Sequence, residues 1–226
     1  MRVSSILRSP ATPYVAPFAA FLAFLAVRQA VPMPDLVEQI VCIVLMTALL
    51  ALVSRPVIDF RVNNFMGTAA IGVAVFLLWI GPDRLIPGYR DFWLFSNPLT
   101  GHVQPGISEA ARRNVPVLVL RAVRASLLVP ILEELFWRGW LMRWLIRPDF
   151  EKVALGAYSV RAFWIVALLF AIEHGPYWDV GLITGLIYNW WMVRTKSLGS
   201  LILAHGLTNA CLSAYVVLAG RWEYWA

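Results

Sequence analysis

Apolar runs long enough to cross a bilayer, separated by short polar breaks, dominate this sequence. The runs fall at about 12–30, 36–53, 65–81, 115–146, 160–175, 180–193 and 199–220. A membrane helix needs about 20 mostly apolar residues, so the pattern predicts an all-α polytopic membrane bundle of about seven transmembrane helices. The break "VPMPD" at 31–35 is short enough to make the first two spans a helical hairpin. Arg2 and Arg8 before the first run resemble a signal peptide, but Val15–Val27 lacks a convincing cleavage site and reads as a retained helix. The single long connection, 82–114, mixes Tyr89, Phe92, Trp93 and Phe95 with polar residues, as interfacial segments do. An eighth, re-entrant span there would reverse the orientation of the part before it. With no repeat or low-complexity tract, residues 1–226 read as one integral membrane domain.

Composition agrees with that pattern. Hydrophobic residues make up 60% of the chain and charged residues 14%, against about 45–50% and about 25% in soluble domains. The net charge of +6 does not point to nucleic acid, because Lys and Arg cluster in the short loops, where membrane topology and anionic headgroups account for them. With the N-terminus in the cytoplasm, 11 of them fall inside (Arg2, Arg8, Arg55, Arg61, Arg138, Arg143, Arg147, Lys152, Arg161, Arg194 and Lys196). Six fall outside: Arg28, Arg84, Arg90, Arg112, Arg113 and Arg221. Arg121 and Arg124 lie within the fourth span. The bias gives N-in and C-out. Cys42 and Cys211 lie in apolar runs without a CxxC pair and read as small hydrophobes.

The fourth span breaks the apolar pattern with Arg121, Arg124, Glu133, Glu134 and Arg138. One charge at mid-helix costs about 2.5–3.5 kcal/mol, so this helix must line protein or a water-filled cavity. Glu134 and Arg138, four apart, share a face and can pair. Glu133 lies about 100° away and stays free for chemistry. Pro130, one turn earlier, weakens the backbone ladder there. Arg121 and Arg124 read as snorkelling residues or buried partners. Two further spans carry polar groups: "FAIEHG" sets His174 one turn after Phe170, and "LAHGLTNA" sets His205 and Asn209 on one face. At helical rise Glu133, His174 and His205 lie about 21, 20 and 14 Å from basic residues on the same side. Continuous helices would therefore let them meet in one cavity. Glu173, about 100° from His174, reads as a rim or helix-end residue.

These three motifs (Glu133-Glu134-Leu135-Phe136-Trp137-Arg138, Phe170 to His174, and His205 to Asn209) resemble the CPBP family. Its members include CAAX prenyl proteases and bacteriocin-processing or immunity proteins of the ABI group. The stretch 181–205, with Tyr188, is similar too, and the resemblance covers roughly 120–215, with the catalytic helices in 115–220. It implies an intramembrane glutamic endopeptidase of a bacterial inner membrane, acting on a membrane-associated protein or peptide. By resemblance Glu133 and His174 activate water, neutral His205 and Asn209 stabilise the oxyanion, and Glu134 and Arg138 support the site, with no cofactor. Such hydrolysis needs a base, oxyanion donors and exclusion of bulk water. Three other readings stand beside it. Glu133, His174 and His205 could form a His₂Glu zinc set, although HExxH spacing is absent and Asn209 is then left without a role. The fold could serve a non-catalytic membrane immunity or binding protein. The polar groups could be only a helix-packing network.

Overall fold

The computed structural model describes residues 9–225. Arg2 and Arg8, which contribute to the inside charge count, lie outside them. Seven helices form the bundle: α1 (Thr12–Ala30), α2 (Asp35–Leu49, prolonged by wide and tight turns to Val57), α3 (Phe65–Leu85), α4 (Val115–Trp144), α5 (Val160–Glu173), α6 (Trp178–Thr195) and α7 (Leu198–Ala219). No strand occurs among the described residues, only an isolated bridge between Asn97 and Gly101. Among the described residues five helices, α1–α4 and α7, are long and apolar enough to cross a membrane. At 14 residues α5 is short, and α6 carries Asp179, Asn189 and Arg194.

Local chemistry sets the helix ends. Asn64 takes a left-handed backbone and its Oδ1 accepts the Gly67 amide at the start of α3. Asn114 accepts the Val117 amide before Pro116 opens α4, and Ser197 accepts the Ser200 amide before α7. Each bond satisfies an amide that has no partner within its helix. α7 lies at the centre. A Cβ at Gly72 of α3 would come 2.7 Å from the Ala204 carbonyl, and one at Gly206 would come 2.7 Å from the Ser126 carbonyl. Side chains there would force both neighbours away, so the two glycines set how closely α3 and α4 flank α7.

α4 is not a regular helix. Wide π turns interrupt it at Arg124–Leu128 and Leu135–Leu141. In the first, the Val129 amide bonds back to the Arg124 carbonyl. The next donor in that register would be Pro130, which has no N–H. The Ala125 carbonyl is thereby left to a side-chain donor. The π turns also shorten the rise between Glu133 and Arg147, so the even helical spacing assumed from sequence does not hold along α4.

The core has two parts. The larger packs Leu135, Leu141 and Met142 of α4, Leu198 and Leu201 of α7, Val166 of α5 and Met192 of α6 against α1 and α2. The smaller lies at the opposite end, where Ile107, Tyr177, Val216, Tyr224 and Trp225 meet. The connection 86–114 contains only short 3₁₀ turns, Tyr89–Asp91 and Ala111–Arg113, and no span. It divides the aromatic cluster read from sequence: Phe92 and Trp93 are exposed, whereas Phe95 is buried and Tyr89 bonds Asp179. Arg90 is the hub, bonding Asp83, Asp179 and the Pro176 carbonyl and lying over the Tyr177 ring. It straps the connection onto the turn between α5 and α6.

Candidate active site

Glu134 and Arg138 form the floor of the site, and both are fully buried. Arg138 Nη1 donates to both Glu134 oxygens, at 3.0 and 3.2 Å. Its Nε donates to Asn189 Oδ1 at 2.9 Å, and Asn189 Nδ2 donates to the Phe163 carbonyl at 2.8 Å. The guanidinium stacks 4.7 Å from the Phe170 ring centre and 5.6 Å from that of Tyr188. A buried ion pair needs such further bonds to offset desolvation. Asn189 is the residue that sequence reasoning missed. The available signal was an amide in an otherwise apolar stretch, "IYNWW", where burial demands a partner.

Glu134 also meets α7. His205 Nδ1 lies 3.0 Å from Glu134 Oε1. A carboxylate only accepts, so Nδ1 carries the proton. This modifies the expectation for His205. In the neutral ring that one proton is spent on Glu134, and Nε2 presents a lone pair. Donation from Nε2 requires a second proton on the ring.

Above this floor lies a cavity of about 380 Å³ whose lining includes Glu133, His174, His205 and Asn209. The four residues assigned to chemistry therefore share one space, although they come from α4, the end of α5 and α7. Glu133 is buried, and its Oε2 has no partner. His174 closes α5, and its Nδ1 donates to the Phe170 carbonyl at 2.6 Å, leaving Nε2 as an acceptor. Trp79 packs edge-on at 5.2 Å from the His174 ring and donates to Thr184 Oγ1. Asn209 Nδ2 donates to the Ala125 carbonyl at 2.9 Å, the group freed by the π turn and Pro130. That bond uses one of two amide hydrogens and leaves the other unassigned. Tyr188 and Thr208 share a hydroxyl bond of 2.8 Å, and Thr208 donates onward to the Gly72 carbonyl, fixing α7 against α3 and α6.

Residues 115–211 match the family model described as Type II CAAX prenyl endopeptidase Rce1-like. This Rce1-like segment holds all six motif residues, from Glu133 to Asn209, and agrees with the resemblance carried by their spacing. It supports a protease activity of the CAAX type, and the five apolar helices, long enough to cross a membrane, support an integral membrane protein. No curated protein and no solved structure matches the chain. α1–α3 lie outside the Rce1-like segment, yet Trp79 of α3 lines its cavity.

The remaining sequence candidates are placed as follows. Glu173 is the last residue of α5, exposed at the cavity rim. Arg121 is buried, donates to the Gly106 and Trp225 carbonyls, and does not itself line the cavity. Arg124 is buried 3.8 Å from Glu38, which also pairs with Arg28. Both arginines are thus buried partners. Among the described residues no three His, Cys, Asp or Glu side chains are grouped to hold a metal ion. At the mouth, Tyr224 donates to Asp83 at 2.7 Å. Burial, then that bond, raises its phenol above the ordinary pKa and keeps it a neutral donor.

Proposed function

We propose that this protein is an intramembrane glutamic endopeptidase that hydrolyses a peptide bond of a membrane-associated protein or peptide. The observation that carries the reading is Glu133: a buried carboxylate with an unpartnered oxygen, facing a cavity that it shares with His174, His205 and Asn209.

Glu133 takes the proton from a water that also bonds the free Nε2 of His174. The hydroxide attacks the scissile carbonyl, and negative charge gathers on its oxygen. Asn209 turns its second amide hydrogen toward that oxygen while the first stays on Ala125. His205, held through Nδ1 by Glu134, donates from Nε2 when its ring carries a second proton. Donors fixed before the reaction are worth most in a site shielded from bulk water. Collapse breaks the C–N bond, and Glu133 passes its proton to the departing amine, restoring the starting carboxylate. Arg138 and Asn189 act through Glu134 and do not touch substrate. No step requires a metal, because the carboxylate activates the water and the donors bear the oxyanion. The deciding experiment compares cleavage by wild type and Glu133→Gln, with a folding control for each. Equal cleavage by both sinks the reading.

A further inference from the structure

A second hollow lies between α2 and α4, separate from the cavity. It encloses about 450 Å³, with Leu50 and Ala51 of α2 and Leu128 and Ile131 of α4 as walls, and Arg55 and Phe60 at one end. Backbone irregularity explains the gap. α2 widens into a π turn at Leu50–Ser54 and then tightens at Arg55–Val57, and α4 has its own π turn at Arg124–Leu128. Helices that depart from regular winding lose the ridges and grooves that let neighbours interdigitate. Thr47, Ala51 and Phe60 are exposed, so the hollow opens outward, where an apolar helix of this length meets lipid.

Arg55 gives the hollow a chemical polarity. It stands at the end of α2, it is exposed, and it makes no ion pair or hydrogen bond among the described residues. Asp59, the acid nearest in sequence, is taken up by Arg61, accepting its amide and lying 4.0 Å from its Nε. From Arg55 the hollow runs along α2 to Thr47, about 12 Å at helical rise. A stretch of helix of that length, about 10 Å across, would need roughly 900 Å³, twice the space present. A single hydrocarbon chain fits, and a free guanidinium at its interfacial end attracts a phosphate.

We infer that this hollow binds an anionic phospholipid, with the headgroup phosphate on Arg55 and one acyl chain lying between α2 and α4. The chain packs against Leu128 and Ile131, on either side of Pro130. Another face of the same stretch gives Ala125, Val129 and Glu133 to the cavity. The bound lipid therefore braces the irregular part of α4 from behind. Binding stands apart from the proteolytic reading; an effect of the lipid on hydrolysis rests on it.

The test uses the full-length protein, purified and delipidated in mild detergent. Dioleoyl phosphatidylglycerol, dioleoyl phosphatidylcholine and glycerol 3-phosphate are titrated separately, and binding is followed by native mass spectrometry and by melting temperature. Wild type should take one phosphatidylglycerol about fivefold more tightly than phosphatidylcholine, the order expected for one basic residue near an anionic headgroup, and should melt higher with it. Arg55→Lys should keep the preference. Arg55→Gln, which removes the charge at an exposed position, should lose it, and so should Ala51→Trp, which fills the hollow. Equal affinity for the two lipids in wild type, or a preference that survives either substitution, overturns the inference. An equal rise in melting temperature with glycerol 3-phosphate also overturns it, because the site would then be one for free phosphate. In a second arm, phosphatidylglycerol should speed peptide cleavage by wild type and not by Arg55→Gln. Equal stimulation of both overturns the coupling to Glu133. Cleavage by neither in any lipid defeats the proteolytic reading, and the binding arm still decides the lipid site.

Discussion

Glu133 and Glu134 are neighbours in sequence with opposite surroundings. Glu133→Gln keeps the shape and removes the base. We predict a loss of turnover of about 10²-fold or more with a melting temperature close to wild type, checked by cleavage rate and thermal unfolding of the same preparations. Glu134→Gln leaves Arg138 and His205 without their carboxylate. Breaking a buried pair costs about 3–5 kcal/mol, so activity and melting temperature should fall together. Full stability in Glu134→Gln would show that Asn189 and the aromatic rings suffice to hold Arg138. Asn189→Leu removes the acceptor of Arg138 Nε. It should lower kcat more than it raises KM, as expected for a group that holds the floor and touches no substrate. The pairing of Glu134 with Arg138 was legible in sequence because four-residue spacing fixes a common helix face. His205 on Glu134 was not, since it joins residues 71 apart and depends on how α4 meets α7.

At the scale of elements, the helix count and most boundaries were readable to within a few residues, because lipid demands long apolar runs. The irregularity of α4 was only half readable. Pro130 announces a broken ladder, but the choice of π turns depends on packing against α7. That choice has a measurable consequence. Pro130→Ala restores an amide donor, which competes with Asn209 for the Ala125 carbonyl. We predict a lower kcat in Pro130→Ala, and a smaller effect of Asn209→Ala in that background than in wild type. Additive effects in the double variant would show that the two features act separately.

Across the whole molecule, the strap through Arg90 and the mouth residues Tyr224 and Trp225 were hidden from sequence reading. They bring together three segments far apart in the chain and carry no shared motif. The metal question also belongs at this scale, because zinc would draw ligands from three helices. We predict that the purified protein holds no stoichiometric zinc by elemental analysis and keeps its activity in a chelator small enough to enter the cavity. Loss on chelation with recovery on adding zinc would transfer the chemistry to a metallopeptidase. The one-sided cavity has a last, electrical consequence. Water in its mouth carries the potential of the mouth side down toward Glu133, so a transmembrane voltage falls mainly across the dry half beneath. A charge crossing the full span exchanges about 2.3 kcal/mol per 100 mV with the membrane field. The proton shuttled between water, Glu133 and the leaving amine stays on the wet side of that drop. Turnover in sealed vesicles should therefore ignore an imposed potential, leaving the enzyme equally active in energised and de-energised membranes.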